Sequence, residues 1–490
     1  MERIYTTLDK PNRRKRTGAI FALSAAVMAA GVMSLSAQTF TTLASFDYAN
    51  GEGPEAAVIQ GTDGNFYGTT QSGGTNGGVV FRMTPSGTLT AAGIFGGATE
   101  GVIPFAGLVQ ATNGDFYGTT YYGGLNDVGT VYKFTLGGAL TTLYSFCSES
   151  GCADGEYPYA GLIQATNGDL YGTTSNGATG GTIYKIAPGG AYTTVYRFCA
   201  LSGCPDGKTP IGGIIQATSG DFYGTTYYGG ANGLGTVYRI TPGGTLTTLH
   251  SFCAHSGCPD GQNPYAVLVQ GTDGDLYGTT QSGGANAAGT IFKITPGGKL
   301  TTLYSLCSLS DCADGDTLDA GLIQGTDGNF YGTTIQGGAN RQGTAFRITP
   351  DGALTTLYAF CSLSGCADGN APLAGLFQGT DGSFYGTTDG GGTSEACGFS
   401  PCGTVFRLAV GLGRFVQTEP TSGQVGTTVK ILGNKLAGAT SVRFNGAAAA
   451  FTVVRPSEIT ATVPAGATTG TVEVVTPGGT LLSNVQFRVP

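Results

Sequence analysis

The chain has 490 residues, 87 of them glycine, and a formal net charge of −8 at pH 7. That length exceeds what one ordinary hydrophobic core uses, and the lack of a strict Gly-X-Y period excludes collagen. Aromatic and β-branched residues recur beside the glycines, which excludes a disordered linker, and an acidic surface that repels phosphate backbones argues against nucleic-acid binding.

Residues 1–37 have the pattern of an export signal. A basic stretch at residues 10–16 precedes an apolar run at residues 19–35, and Ser36 and Ala37 offer small side chains for cleavage. The alternative is an uncleaved membrane anchor. No later segment has the roughly 20 apolar residues that a membrane span needs, so we expect a secreted or cell-surface protein. Cleavage would remove six basic and two acidic residues, which leaves 17 basic against 29 acidic residues and a net charge of −12.

The remaining chain contains one pattern seven times. The string Tyr-Gly-Thr-Thr recurs at steps of 50 to 54 residues, a period typical of propellers and solenoids, and it begins at Tyr67, Tyr117, Tyr171, Tyr223, Tyr277, Tyr331 and Tyr385. Each unit contains four short β segments, for example residues 213–217, 221–226, 235–241 and 246–252. Gly-containing turns separate the first two segments and the last two, as in antiparallel hairpins. Four antiparallel strands per unit is the anatomy of a propeller blade.

The order of the β segments is offset by one strand relative to the repeats. A copy of the fourth segment at residues 40–46 precedes the first full repeat, and none follows the seventh third segment at residues 403–408. An N-terminal strand that completes the seventh blade would close a ring, which buries the blades against each other and protects their edges. A solenoid, the alternative, would not need this offset. The sequence therefore predicts an all-β fold with a seven-bladed β-propeller over residues 38–409.

All twelve cysteines fall into six C-x4-C pairs, which in an exported chain predicts six local disulfides. The pairs are Cys147/Cys152, Cys199/Cys204, Cys253/Cys258, Cys307/Cys312, Cys361/Cys366 and Cys397/Cys402. The alternatives are pairing between adjacent loops and metal binding. C-x4-C is not a usual zinc spacing, so neither a metal nor a cofactor is expected.

An Asp-Gly pair follows the second cysteine in five of these loops. The acids are Asp154, Asp206, Asp260, Asp314 and Asp368. Because aspartate can bond its own backbone while glycine supplies the bend, we expect these acids to shape turns. Calcium ligation by the same carboxylates is the alternative.

The repeat resembles the Gloeobacter/Verrucomicrobia-type, or GloVer, tandem repeat. The residues that carry the resemblance are the D/N-G-D/N-F/L-Y-G-T-T core, the G-T-V-Y-K/R-I-T-P-G-G segment and L-T-T-L-Y-S-F. The resemblance covers about residues 38–409. It implies an exported bacterial surface protein and implies no biochemical activity.

The tail at residues 414–490 has no Tyr-Gly-Thr-Thr string and no cysteine. Its segments, among them residues 420–423, 426–432 and 459–464, resemble the IPT/TIG domain. The resemblance implies an immunoglobulin-like β-sandwich with a spacer or adhesive role outside the cell. Some members of that family contact DNA, but export and acidity argue against that role here.

Vicinal tyrosines are the candidate binding residues. Tyr121, Tyr122, Tyr227 and Tyr228 begin loops between second and third strands, and one ring of each pair should face outward if the strand alternation continues. Such rings could stack on sugars. The alternative is packing between blades.

No nucleophile elbow or phosphate loop is present, and the acids that break the repeat are scattered along the chain. They are Glu100, Glu156, Asp316, Asp389 and Glu395. We therefore expect a monomeric binding, adhesion or structural module, with a glycan or a protein as ligand, and not an enzyme. The alternative is an extracellular polysaccharide hydrolase or lyase on the same scaffold.

Overall fold

The computed structural model describes residues 38–97, 99–397 and 402–490, so the predicted export signal lies outside the described residues. Strands form nine four-stranded sheets, seven from the repeats and two from the tail. The predicted fold class, a seven-bladed β-propeller followed by an immunoglobulin-like sandwich, is confirmed. Within the described ranges no helix is long and apolar enough to cross a membrane. The helical turns are short 3-10 segments at Ser150–Cys152, Ser310–Cys312 and Ser364–Cys366.

Blades 1 to 6 are antiparallel meanders of four consecutive strands. Blades 1 and 2 comprise β2 (Ile59–Gln60), β3 (Phe66–Thr70), β4 (Val79–Met83), β5 (Leu89–Ile94), β6 (Val109–Gln110), β7 (Phe116–Thr120), β8 (Thr130–Phe134) and β9 (Leu140–Ser145). Blades 3 and 4 comprise β10 (Ile163–Gln164), β11 (Leu170–Thr174), β12 (Thr182–Ile186), β13 (Tyr192–Arg197), β14 (Ile214–Gln216), β15 (Phe222–Thr226), β16 (Thr236–Ile240) and β17 (Leu246–Ser251). Blades 5 and 6 comprise β18 (Val269–Gln270), β19 (Leu276–Thr280), β20 (Thr290–Ile294), β21 (Leu300–Ser305), β22 (Ile323–Gln324), β23 (Phe330–Thr334), β24 (Thr344–Ile348) and β25 (Leu354–Ala359).

Blade 7 joins the two ends of the ring. It comprises β26 (Phe377–Gln378), β27 (Phe384–Thr388), β28 (Thr404–Ala409) and the N-terminal strand β1 (Thr39–Ser45). β1 pairs antiparallel with β28, with Phe40 opposite Leu408. The Phe40 ring stacks on Tyr358 of blade 6 with 3.7 Å between ring centroids. The first strand therefore closes the propeller, as the displaced strand count predicts.

The Tyr-Gly-Thr-Thr string lies in the buried second strand of each blade. In blade 1 a Cβ on Gly68 would lie 2.5 Å from the Phe81 ring of the third strand, so only glycine fits. The Tyr67 hydroxyl donates to the turn residue Asp63 at 2.9 Å. Its ring packs on Phe116 of blade 2 with 4.5 Å between centroids. One short motif therefore connects the hairpin turn, the blade interior and the neighbouring blade.

A hydrogen bond at the end of each first strand links neighbouring blades. The Thr62 N–H donates to Gln110 Oε1 at 2.9 Å, and the Thr380 N–H donates to Gln60 Oε1 at 3.1 Å across the closure. The other five bonds join Thr112 to Gln164, Thr166 to Gln216, Thr218 to Gln270, Thr272 to Gln324 and Thr326 to Gln378. The seven bonds form a complete ring around the propeller.

Six disulfides close the C-x4-C loops, as predicted. They join Cys147 to Cys152, Cys199 to Cys204, Cys253 to Cys258, Cys307 to Cys312, Cys361 to Cys366 and Cys397 to Cys402. The acid that follows each of the first five holds the loop together. Asp314, for example, is fully buried and accepts hydrogen bonds from the Tyr304 hydroxyl at 2.9 Å and from the Leu309 N–H at 3.1 Å. In blade 4 the tyrosine is replaced by His250, whose Nε2 lies 2.9 Å from Asp260.

The tail forms two four-stranded sheets around an apolar core. The first has the order β29 (Val416–Glu419), β30 (Thr428–Gly433), β34 (Glu458–Thr462) and β33 (Phe451–Arg455). The second has the order β32 (Ala447–Ala448), β31 (Ser441–Phe444), β35 (Val472–Thr476) and β36 (Gly479–Leu482).

The sandwich contacts the propeller at the hairpin turns between first and second strands. Ser457 Oγ donates to the Thr62 carbonyl of blade 1 at 3.1 Å, and Lys430 Nζ donates to the Thr112 carbonyl of blade 2 at 3.0 Å. The N–H of Phe415, which precedes β29, donates to the Thr380 carbonyl of blade 7 at 3.1 Å. The sandwich therefore contacts the hairpin-turn face of blades 7, 1 and 2. The opposite face of the propeller carries the disulfide loops and is here called the loop face.

Candidate functional site

Each blade presents one side chain to the propeller axis just before its first strand. A buried proline precedes this position in six blades. In six blades the carbonyl of the following residue accepts a hydrogen bond from the second strand of the preceding blade, as Ala106 does from Thr69 Oγ1 at 2.9 Å. The backbone is thereby fixed while the side chain varies. The seven residues, here called the axial layer, line a cavity of about 310 Å³ and are Glu55, Phe105, Tyr159, Ile211, Tyr265, Asp319 and Leu373.

A second layer lies nearer the loop face. It consists of the residue after each Tyr-Gly-Thr-Thr string, here called the mouth layer, with members Gln71, Tyr121, Ser175, Tyr227, Gln281, Ile335 and Asp389. In blades 2, 4 and 5 the mouth-layer residue contacts the axial-layer residue of the next blade. Tyr227 lies 5.9 Å from Tyr265 between ring centroids, and Gln281 Nε2 donates to Asp319 at 2.8 Å. The two layers together are here called the funnel, with the mouth layer at its loop-face end.

Aromatic rings from blades 2 to 5 form one wall of this funnel. The Phe105 ring lies 5.3 Å from both Tyr121 and Tyr159, and the Tyr159 ring lies 5.6 Å from Tyr265. The Tyr265 hydroxyl donates to the Tyr159 hydroxyl at 2.5 Å, although the two residues belong to blades 3 and 5. Burial raises the pKa of Tyr159 to about 12, so its hydroxyl is neutral at physiological pH. The wall therefore offers both ring faces and hydroxyl groups.

The structure places the four predicted tyrosines around this wall. Tyr122 and Tyr228 are 39% and 43% exposed, so one ring of each pair faces outward as strand alternation predicts. Tyr121 and Tyr227 turn towards the axis and meet their exposed neighbours edge to face at 4.7 and 4.5 Å. The Tyr227 hydroxyl also donates to Gln281 at 2.7 Å. The inner rings thus pack towards the axis while the outer rings remain partly exposed, and ligand contact by all four stays a prediction.

Carboxylates from blades 6, 7 and 1 form the opposite wall. Burial raises the pKa of Glu55 to about 7, with repulsion from Asp389 and Asp319 as further causes. Burial also raises the pKa of Asp319 and of Asp389, and the charge of Glu52 raises that of Asp389 further. A side cavity of about 410 Å³ between blades 7 and 1 is lined by Glu52, Gln71 and Asp389 among others. Acids of three blades therefore share one side of the axis.

Of the five acids that break the repeat, Asp389 lines the side cavity, and the other four line neither of the two cavities described above. Glu156 accepts a hydrogen bond from Asn176, and Asp316 accepts one from its neighbour Thr317. Glu395 is exposed on a loop of blade 7. Glu55 and Asp319 were not among the residues predicted from the sequence. The sequence does contain a signal for them, because in the aligned repeats an acid occupies the variable position before Ala56 and before Ala320.

Within the described part of the chain, one group of three side chains comes within metal-binding distance, namely Cys147, Cys152 and Glu156. The two sulfur atoms are joined in a disulfide and cannot serve as thiolate ligands. The loop aspartates accept hydrogen bonds from backbone N–H groups and tyrosine hydroxyls, which is the turn role expected for them.

The family description Gloeobacter/Verrucomicrobia repeat matches residues 12–205, 179–406 and 311–440, and the IPT/TIG domain matches residues 416–489. No curated protein matches the chain. Two crystal structures of the extracellular domain of BT4673 from B. thetaiotaomicron, described as a hybrid two-component and as a one-component system, align with a TM-score of 0.50 each at 11% and 12% identity. The alignments cover 81% and 83% of this chain and 46% of those chains, and this likeness shows the fold alone.

Proposed function

This chain belongs to the Gloeobacter/Verrucomicrobia repeat family, and we propose from that premise that it is an exported binding module that holds an oligosaccharide at its loop face. Six disulfides support an oxidising compartment outside the cytoplasm. The signal-like segment at residues 1–37 and the IPT/TIG domain fit the same location. The sandwich contacts the hairpin-turn face, so the loop face is free of this domain.

The observation that carries the proposal is the continuous aromatic wall of the funnel. Rings that belong to different blades, and are far apart in the chain, meet near the propeller axis, which packing within single blades does not require. Sugar rings present C–H faces that stack on aromatic side chains, and their hydroxyls pair with amide and tyrosine groups such as Gln71 and Tyr159. The exposed rings of Tyr122 and Tyr228 extend this surface outward. Amphipathic aromatic anchors dominate the energy of many binding sites.

A glycan array with the purified protein tests this proposal. Replacing both Tyr122 and Tyr228 by alanine should weaken binding, by about 1 kcal/mol or roughly fivefold for each ring, with the melting temperature nearly unchanged. Leu201→Ala is the matched control, because this side chain is 68% exposed on a disulfide loop of the same face, outside the funnel. Oligosaccharide binding that survives the tyrosine changes, or no binding to any glycan, would refute the proposal.

A polysaccharide hydrolase or lyase is the second candidate. The observation in its favour is Glu55, a carboxyl group with a pKa of about 7 in a cavity that also holds Asp319. Such a group is protonated often enough near neutral pH to act as a general acid beside an ionised partner. Release of new reducing or unsaturated ends from a polysaccharide, lost in Glu55→Gln, would establish this function.

A further inference from the structure

We propose that the axial cavity binds an ammonium group, so that the ligand of the loop face is an oligosaccharide with free amino groups. The sugar part of this inference rests on the proposed function. The ammonium part rests on the cavity itself, whose lining combines aromatic rings with acidic side chains that form no ion pair.

The cavity lining is acidic and has no basic member. Among the side chains that line the axial and side cavities there is no lysine, arginine or histidine, whereas Glu52, Glu55, Asp319 and Asp389 are all present. In the described ranges none of these four acids takes part in an ion pair, although ten ion pairs occur elsewhere. A cation in the funnel would supply the missing counter-charge.

The opposite wall suits the same cation. Tyr159, Tyr265 and Phe105 all line the axial cavity, and their rings meet edge to face or tilted with 5.3 to 5.6 Å between centroids. Cations are attracted to such ring faces, and aromatic cages are a recurring site for ammonium ligands. A site with carboxylates on one side and rings on the other favours an organic cation over both a neutral ligand and an anion.

The spacing of the acids favours an organic cation over a metal ion as the ligand. Within the described part of the chain, no three oxygen atoms from the funnel acids lie within 4.8 Å of one another. A calcium ion takes six to eight oxygen ligands at about 2.3–2.6 Å, and the side chains of these acids do not bring even three oxygens together. The volume of about 310 Å³ falls at the lower end of the roughly 300–1,000 Å³ typical of small-molecule sites, so a sugar-sized group fits and a bare ion leaves most of it empty.

The repeat shows that these acids are not needed for the fold. Glu55 and Asp319 occupy the position that holds Ile211 in blade 4 and Leu373 in blade 7. Blades with a neutral residue at this position have the same four strands. The acids are therefore additions to a common scaffold, and their replacement by isosteric amides should leave the blades intact.

The test measures binding of three oligomers with the same β-1,4 linkage, made of glucosamine, N-acetylglucosamine or glucose, by calorimetry on the purified full chain at about pH 7. Tetramethylammonium is the fourth probe, because its charge does not depend on pH. Glucosamine oligomers should bind at least about tenfold more tightly than the two neutral oligomers, and the double variant Glu55→Gln, Asp319→Asn should remove that advantage. Glu395→Gln changes the net charge on the same face outside the cavity and should have no effect.

The outcomes separate this inference from the proposed function. Equal affinity for all three oligomers overturns the ammonium site and leaves the sugar-binding function in place. Tetramethylammonium binding that the double variant abolishes, without binding of any oligomer, supports the ammonium site and refutes the sugar function. Absence of binding by all four probes overturns both. If the double variant does not give the native circular dichroism spectrum, the single variant Glu55→Gln decides between the same outcomes.

Discussion

Closure of the ring by β1 can be tested with a pair of matched substitutions. Phe46, which follows β1, and Phe198, which follows β13 in blade 3, are both fully buried. Each packs edge to face on the third-strand aromatic ring of a neighbouring blade at 5.1 Å, Phe46 on Phe81 and Phe198 on Tyr238. The N–H of each donates to a glycine carbonyl at 3.0 Å. Of the two, only Phe46 lies on the segment that joins β1 to the last blade.

Replacing either phenylalanine by alanine should lower the free energy of unfolding by about 3–5 kcal/mol, the usual cost of such a cavity. Denaturation in guanidinium chloride with the disulfides intact, followed by far-ultraviolet circular dichroism, measures the midpoints. Equal shifts for both variants are expected. If Phe46→Ala costs less than about 1 kcal/mol while Phe198→Ala costs the full amount, β1 does not close the ring in solution. Deletion of residues 38–48 should abolish cooperative unfolding altogether.

Three further predictions follow from the loops and the cavity. Peptide mapping without reduction should link Cys199 to Cys204 and the other five pairs likewise, and free thiols in the exported protein would contradict this. Asp314→Ala should cost about 1–3 kcal/mol, because it leaves buried donors unpaired, and a thermal melt measures the loss; a melting temperature that does not move would show that the carboxylate does not hold the loop. Because the pKa of Glu55 is raised from 4.5 to about 7, its contribution to stability is fully present below pH 4.5 and is lost as the pH rises through 7. The free energy of unfolding of Glu55→Gln, relative to that of the unsubstituted protein, should therefore rise by about 3 kcal/mol between pH 4.5 and pH 7. A difference that does not change with pH would contradict the burial of this carboxyl group.

Residues whose hydrogen bonds and packing contacts lie within one repeat could be predicted from the sequence. The Tyr-Gly-Thr-Thr period gave the number of blades, and the displaced copy at residues 40–46 gave the closing strand. Both follow from local hydrogen-bond and packing needs that every repeat must meet. The C-x4-C pairs and the aspartates after them were predictable for the same reason, since all the atoms of each loop lie within a few residues of chain.

Residues that act between repeats were harder to predict. Gln110 and Thr62 meet across blades although 48 positions separate them, and a glutamine that ends a short strand carries no local signal. Glu55 and Asp319 lie on the same side of the axis because the ring places blades 1 and 6 on either side of blade 7. Their positions along the sequence do not show this proximity. Tyr121 and Tyr227 were found because their neighbours are also tyrosines, but their inward packing depends on the funnel.

The register of β1 on β28 also determines how the molecule carries mechanical load. Thr39 lies opposite Ala409, so the start of the first strand and the exit to the sandwich are at the same end of blade 7. Pulling these two points apart would break the ladder bonds one after another, as in the opening of a zipper. Tension between a ligand on the loop face and the start of β1 would instead run along the strand, at right angles to the ladder bonds, and load them all at once. The six residue pairs of this ladder therefore resist force along the strand better than force that pulls the two strand ends apart.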